Sequence, residues 1–257
     1  MGQTPDPLPP PGRHLLLLEP RGLLDIPALI ASAPFLLRAR RGKRHGVIVL
    51  PGFGADDGST ALLRRYLSML GYDAQGWKRG FNVRKPGADM DAVIGQIRQL
   101  KALHHLPVSL IGWSRGGIMA REIARKVPDD IRLVITLGSP FADASANNVG
   151  AMWTLLTGEK APRDPARLKA LAEPIPAPAT AIYTRADGVV AWQACLEKPG
   201  PRSENIEVRS THIGLGFHAP AFWAIADRLA QPFDQWTPFK PTGLVSALFP
   251  TRRQVTK

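Results

Sequence analysis

Apolar positions recur along this chain in two alternating rhythms. Gly46–Leu50 (GVIVL) is a short, continuous, β-branched run ending at Pro51-Gly52, the pattern of a strand buried on both faces. Residues 61–70 then place Leu62, Leu63, Tyr66, Leu67 and Leu70 at helical spacing. A short strand near Tyr72–Trp77 precedes a helix over Ala88–Leu103, which carries Val93, Ile94, Ile97, Leu100 and Leu103 on one face. Strand Val108–Ile111, helix Arg115–Lys126 and strand Leu133–Leu137 continue the alternation. It resumes with strands Thr180–Thr184 and Ile206–Arg209 and helix Ala219–Leu229. Strands separated by helices of this length predict an α/β architecture, a mostly parallel sheet with helices on both faces.

The segments that break the rhythm are equally informative. Residues 1–13 are rich in proline and predict a disordered tail. Residues 14–44 are apolar but interrupted by Glu19, Pro20, Arg21, Asp25, Pro27 and Pro34, and they end in the basic run Arg38, Arg40, Arg41, Lys43 and Arg44. Short helices follow from that pattern, either packed on the domain or lying on an anionic membrane surface. Between 144 and 179 the alternation lapses around two short helical patterns, and an insertion of this size in an α/β domain predicts a lid. The proline- and aromatic-containing stretch 232–257 predicts irregular coil over the core. A single domain over 14–257 accounts for all of this.

Composition narrows the classes. With one cysteine, Cys195, among 257 residues, an internal disulfide framework and a zinc site built from cysteine pairs are excluded. No window of about 20 residues is free of charge and proline, which argues against a transmembrane helix. Thirty-three Lys and Arg against 21 Asp and Glu give a formal charge of +12. Charge alone does not specify a nucleic-acid binder, and no recognition motif accompanies it. The amino terminus lacks the features of a secretory signal, so a cytoplasmic protein is expected, with peripheral membrane contact through residues 14–44 as an open possibility.

The chemistry concentrates at Gly112-Trp113-Ser114-Arg115-Gly116-Gly117. This G-x-S-x-G segment follows a buried strand and opens a helix, so the serine sits on a tight, strained turn with its hydroxyl presented at the carboxyl edge of the sheet. The bland alternative makes Ser114 a helix N-cap. A serine nucleophile needs a base. Among the six histidines, His212 follows strand IEVRS at that same edge; His218, at the start of the last helix, is the rival. The base in turn needs an acid to orient it and to stabilise its charged form. Asp187 lies directly after strand TAIYT, again at the carboxyl edge, with Asp143 as runner-up. Asp56, Asp57 and Ser59 read as helix caps, and Cys195 as a packed small hydrophobe.

The chain order Ser114, Asp187, His212, together with the elbow and the segments TRADGVV and STHIGLG, resembles the α/β-hydrolases, in particular the small bacterial lipases and esterases. The resemblance spans roughly residues 45–231 and has a minimal form, without the strands that usually precede Gly46–Leu50. It implies an oxyanion hole built from the backbone N–H groups of Phe53, in Pro51-Gly52-Phe53-Gly54, and of Arg115. Trp113 beside the elbow and Trp153 in the insertion are the candidate substrate contacts. The implied activity is hydrolysis of a small-molecule or lipid acyl ester through an acyl-enzyme on Ser114, with no metal or organic cofactor. Acyl transfer and amide or thioester cleavage use the same groups, and a non-catalytic anion- or membrane-binding protein is the rival from another class.

Overall fold

The computed structural model describes residues 8–85, 87–158 and 165–250. The chain enters through three short helices, α1 (Arg13–Leu17), α2 (Asp25–Ala31) and α3 (Ala33–Leu36), with a 3₁₀ turn over Glu19–Leu24. It then alternates β1 (Gly46–Leu50), α4 (Ala61–Met69), β2 (Asp73–Gly76), α5 (Met90–His104), β3 (Val108–Trp113), α6 (Arg115–Lys126) and β4 (Ile131–Leu137). Helices α7 (Gly150–Thr157) and α8 (Pro165–Ala172) interrupt before β5 (Ala179–Tyr183), β6 (Ser203–Glu207) and α9 (Ala219–Leu229).

The six strands form one sheet in the order β2-β1-β3-β4-β5-β6, and every pairing is parallel. Helices cover both faces. Side chains of α4, α9 and the amino-terminal helices pack with Val47, Val49, Ile111 and Ile135 on one side. Those of α5 and α6 pack with Ile48, Leu50, Leu110 and Val134 on the other. Inner strands β1 and β4 are therefore buried at every position, whereas edge strand β6 alternates half-buried with buried. Parallel strands all end at the same edge, and that edge receives the loops after β1, β3, β5 and β6.

Three peripheral segments differ from expectation or refine it. Residues 8–12 do not hang free: the Leu8 N–H donates to Asp143 Oδ2 (2.9 Å), and Asn148 donates to the Pro11 carbonyl (3.0 Å). Leu8 also packs on Ala146, Ala191 and Ala194, so an apolar side chain and an unspent carbonyl tie down what composition assigns to a tail. Helix α1 already begins at Arg13, and residues 1–7 lie outside the described residues. The predicted lid region holds α7 and α8, and α8 is fixed to α6 by the two-pronged Arg167–Glu122 pair at 3.0 Å for both prongs. The carboxyl-terminal stretch is irregular apart from a 3₁₀ turn at Gly243–Leu248, and Phe239 and Phe249 are buried edge to face; residues 251–257 lie outside the description.

Glu204 joins the sheet edge to its covering. Its buried carboxylate accepts from the Thr180 hydroxyl (3.0 Å), from Arg228 of α9 (2.9 Å) and from the Phe239 N–H (2.6 Å). Replacing it by alanine strips partners from a buried cation and a buried N–H together. Glu204→Ala is expected to cost about 3 kcal/mol or more, read as a lowered urea midpoint.

Candidate active site

The elbow is built by close approach of strand and helix. A Cβ at Gly112 would fall 2.3 Å from the Gly117 backbone, and one at Gly116 2.3 Å from the Leu50 carbonyl oxygen. With no side chains there, β3 turns directly into α6, and Ser114 takes φ 53°, ψ −121°, a conformation costly for any residue with a side chain. Its N–H donates to the Leu137 carbonyl (2.7 Å), which fixes the turn to β4. Although Ser114 occupies the N-cap position of α6, its hydroxyl makes no capping bond, so the capping alternative fails.

The loop after β1 lies alongside. Buried Asn82 holds it from three directions: its side chain donates to the Pro51 carbonyl (2.8 Å), its N–H to Ala55 O (2.8 Å), and its carbonyl accepts from the Gly54 N–H (3.1 Å). The Arg115 guanidinium donates to that same carbonyl (3.1 Å) and to the Arg84 carbonyl. Its flat face lies over Trp153 (4.9 Å) and Phe53 (5.5 Å), whose rings stack at 4.8 Å. Burial pushes Arg115 down to about 10, still charged at neutral pH. Phe53 and Arg115 are thus neighbours, and the N–H of Arg115 belongs to the first turn of α6, where helix geometry leaves donors without intrahelical acceptors. Asn82 carries no motif around it, and nothing in the sequence singles it out.

Asp187 and His212 meet at the ends of β5 and β6. The Asp187 Oδ2 lies 2.7 Å from His212 Nδ1, and its Oδ1 accepts from the N–H groups of Val189 (2.9 Å) and Val190 (2.8 Å). Both side chains are buried. Burial works against a charged imidazole, but the charge and hydrogen bond of Asp187, joined by the charge of Glu19, outweigh it and raise the His212 pKa above the ordinary 6.5. A Cβ at Gly138, just past β4, would lie 3.1 Å from His212 Nδ1 and 3.2 Å from Asp187 Oδ2, so the turn after β4 forms a wall of the pair.

The other candidates fall elsewhere. Asp143 is spent on the Leu8 N–H and on the Ser145 N–H and hydroxyl. His218 does not cap α9 through its side chain; its Nδ1 pairs with Asp25 (3.3 Å). Of the residues after the first loop, Asp56 caps its own turn through the Gly58 N–H, whereas Asp57 reaches across to the N–H groups of Trp77 and Lys78. Cys195 is buried, and burial raises its pKa well above the usual thiol value.

A cavity of about 140 Å³ opens on Ser114, bounded by Phe53 and Trp153 and lined largely by apolar side chains, among them Ile118 and Met119 of α6, Val149, and Leu168 and Leu171 of α8. Trp113 is not part of that lining, contrary to expectation. Strand alternation turns it towards His212 instead: its Nε1–H donates to the His212 carbonyl (3.1 Å), and its ring meets Phe217 edge to face.

Comparison with solved structures identifies the fold. A Bacillus licheniformis lipase in its mature form matches with a TM-score of 0.57 at 16% identity, covering 76% of this chain and 95% of that one. A Paleococcus ferrophilus monoacylglycerol lipase matches with a TM-score of 0.52 at 18% identity, covering 75% and 97%. Aspergillus fumigatus lipase B matches with a TM-score of 0.53 at 17% identity over 74% of this chain, which spans only 53% of that longer one. No protein-family model and no curated protein sequence matches the chain. The protein has the α/β-hydrolase fold.

The buried pair sets a test by titration. Because the folded pKa of His212 is raised, the charged pair contributes stability that is fully present below pH 6.5 and lost as pH rises through the folded value. Asp187→Asn leaves burial as the dominant influence. NMR titration of the His212 ring should give a value above 6.5 in the wild type and a lower one in Asp187→Asn.

Proposed function

We propose that the protein is a serine hydrolase of carboxylic esters. The observation that carries this reading is the 2.7 Å Asp187–His212 contact at the same sheet edge as a strained, uncapped serine. The Ser114 Oγ attacks the acyl carbon while His212 Nε2 takes its proton. The N–H groups of Phe53 and Arg115 stabilise the oxyanion of the tetrahedral intermediate. His212 then returns the proton to the leaving alkoxide as the C–O bond breaks. Water, deprotonated by His212, attacks the acyl-enzyme, and the acid leaves with Ser114 restored. Asp187 holds the imidazole in the tautomer with its proton on Nδ1 and stabilises the imidazolium.

The cavity favours a compact apolar group on the substrate. An engineered apolar void of about 150 Å³ holds a benzene-sized molecule; this cavity has a similar volume and a mainly apolar lining that also includes Arg115, Glu122, Asn147 and Arg167. Trp153 fits the role of a substrate contact here, and Trp113 that of a support for the base.

Peripheral membrane contact is supported by the outer surface of residues 14–44. Leu16, Leu17, Leu18, Leu23, Leu24, Ile30 and Leu37 are exposed there beside exposed Arg21, Arg38, Arg40, Arg41, Lys43 and Arg44, while Glu19 is buried. Apolar insertion and attraction of about 1 kcal/mol per cation near an anionic surface act together. No helix among the described residues is long and apolar enough to cross a membrane.

Two experiments test these readings. Ser114→Ala should remain folded and lose both ester turnover and stoichiometric fluorophosphonate labelling; an unchanged hydrolysis rate ends the assignment. Phosphatidylserine vesicles should sediment the full chain and phosphatidylcholine vesicles should not, with Leu17→Glu/Leu24→Glu weakening the effect. No recovery with either lipid removes the membrane reading, and equal recovery with both removes its electrostatic part.

A further inference from the structure

We propose that Glu19 is a positioning residue that locks the acid loop to the base loop. Glu19 interrupts an apolar run in the amino-terminal segment, far in sequence from the elbow, yet its side chain is only 2% exposed. One oxygen, Oε1, accepts from the Gly188 N–H (2.7 Å) and from the N–H of His212 itself (3.1 Å). The other, Oε2, accepts from the Ile213 N–H (2.9 Å). A single carboxylate thus bridges the residue after Asp187 and the two residues at the base.

The physical need is specific. Past the ends of β5 and β6 the ladder stops, and the backbone donors of both loops lose their strand partners. A carboxylate has lone pairs for several N–H groups, and bonds to an ionised acceptor are roughly twice as strong as neutral ones. Bridging two loops with one rigidly held group removes their independent motion, which is what holding Nδ1 within hydrogen-bond distance of Asp187 requires.

The rest of the segment is shaped to deliver this carboxylate. A Cβ at Gly22 would come within 2.3 Å of the Thr211 hydroxyl and 2.5 Å of the Gly214 N, so the segment lies directly against the base loop. A second carboxylate of the segment, Asp25, accepts from the Ser210 hydroxyl (2.8 Å) two residues before His212. Asp187 and Glu19 are the charges that act on His212, and both favour its protonated form.

The inference rests on the catalytic reading of Ser114, Asp187 and His212, and the test separates the two. Full-length wild type, Glu19→Gln and Glu19→Asp are compared at a temperature where each is folded. The rate of fluorophosphonate labelling at Ser114 is followed against pH, and the His212 ring and its Nδ1–H are followed by NMR. Glutamine keeps one acceptor oxygen for three donors and loses the charge. Glu19→Gln should label about 10–100-fold more slowly, the penalty of a small misplacement, with its acid limb moved to lower pH. Its His212 should titrate lower and its downfield Nδ1–H signal should weaken. Glu19→Asp should also label slowly while its acid limb stays near that of the wild type, because the charge remains. If Glu19→Gln fails to fold, Glu19→Asp decides alone.

A folded Glu19 variant with wild-type labelling, wild-type His212 titration and lowered thermal stability would show a merely structural role and overturn the proposal. Should wild type not label at all, the catalytic reading fails. The Nδ1–H signal then still decides whether Glu19 orders the Asp187–His212 contact: loss in Glu19→Gln supports it, persistence overturns it.

Discussion

The approach of β3 to α6 at Gly112 and Gly117 is the constraint on which the site depends. The two backbones pass so closely that no side chain fits between them, and the chain has no gentler way to turn from strand to helix. Ser114 absorbs the cost in its backbone angles. Strain of about 1–3 kcal/mol persists only where the surroundings over-determine it. Here they do: β3 lies between β1 and β4 near the middle of the sheet, α6 packs on its face, and the Ser114 N–H is bonded to the end of β4.

Around this turn the protein repeatedly solves one problem, that of backbone donors stranded where parallel strands end. Buried or half-buried acids accept them. Asp57 takes the N–H groups of Trp77 and Lys78 beyond β2, Asp187 takes Val189 and Val190 beyond β5, and Glu19 takes Gly188, His212 and Ile213. In a chain with a formal charge of +12, acids are thus placed inward as acceptors, while many cations of the amino-terminal segment point outward. The division gives the carboxyl edge fixed loops and a local negative charge that favours imidazolium at His212.

Much of this was legible from the linear pattern. GVIVL and VSLI announce strands because both faces of an inner parallel strand are covered, and the G-x-S-x-G between VSLI and a helix marks the elbow. Asp187 and His212 are singled out by lying just past strands at the edge where Ser114 emerges, and in the structure they lie 2.7 Å apart. Other features were not legible. Trp113 neighbours Ser114 in sequence, yet strand alternation turns its ring to His212. Asn82, which orders the loop carrying Phe53, stands in an irregular stretch with no periodicity to read. Residues 8–12 have the composition of a free tail, but a carbonyl and one leucine find partners among residues more than a hundred positions away.

By itself the sequence determined the order of strands and helices, the elbow and the short list of acids and bases near it, because periodicity, glycine spacing and position past a strand are local properties. The tertiary structure alone decided which carboxylate faces which donor. Glu19 reads as a blemish in an apolar run until the segment folds over the sheet edge and brings it to loops some 170–190 residues further along the chain. Hydrogen bonds between such distant groups follow from how the layers stack, and no local pattern encodes that stacking.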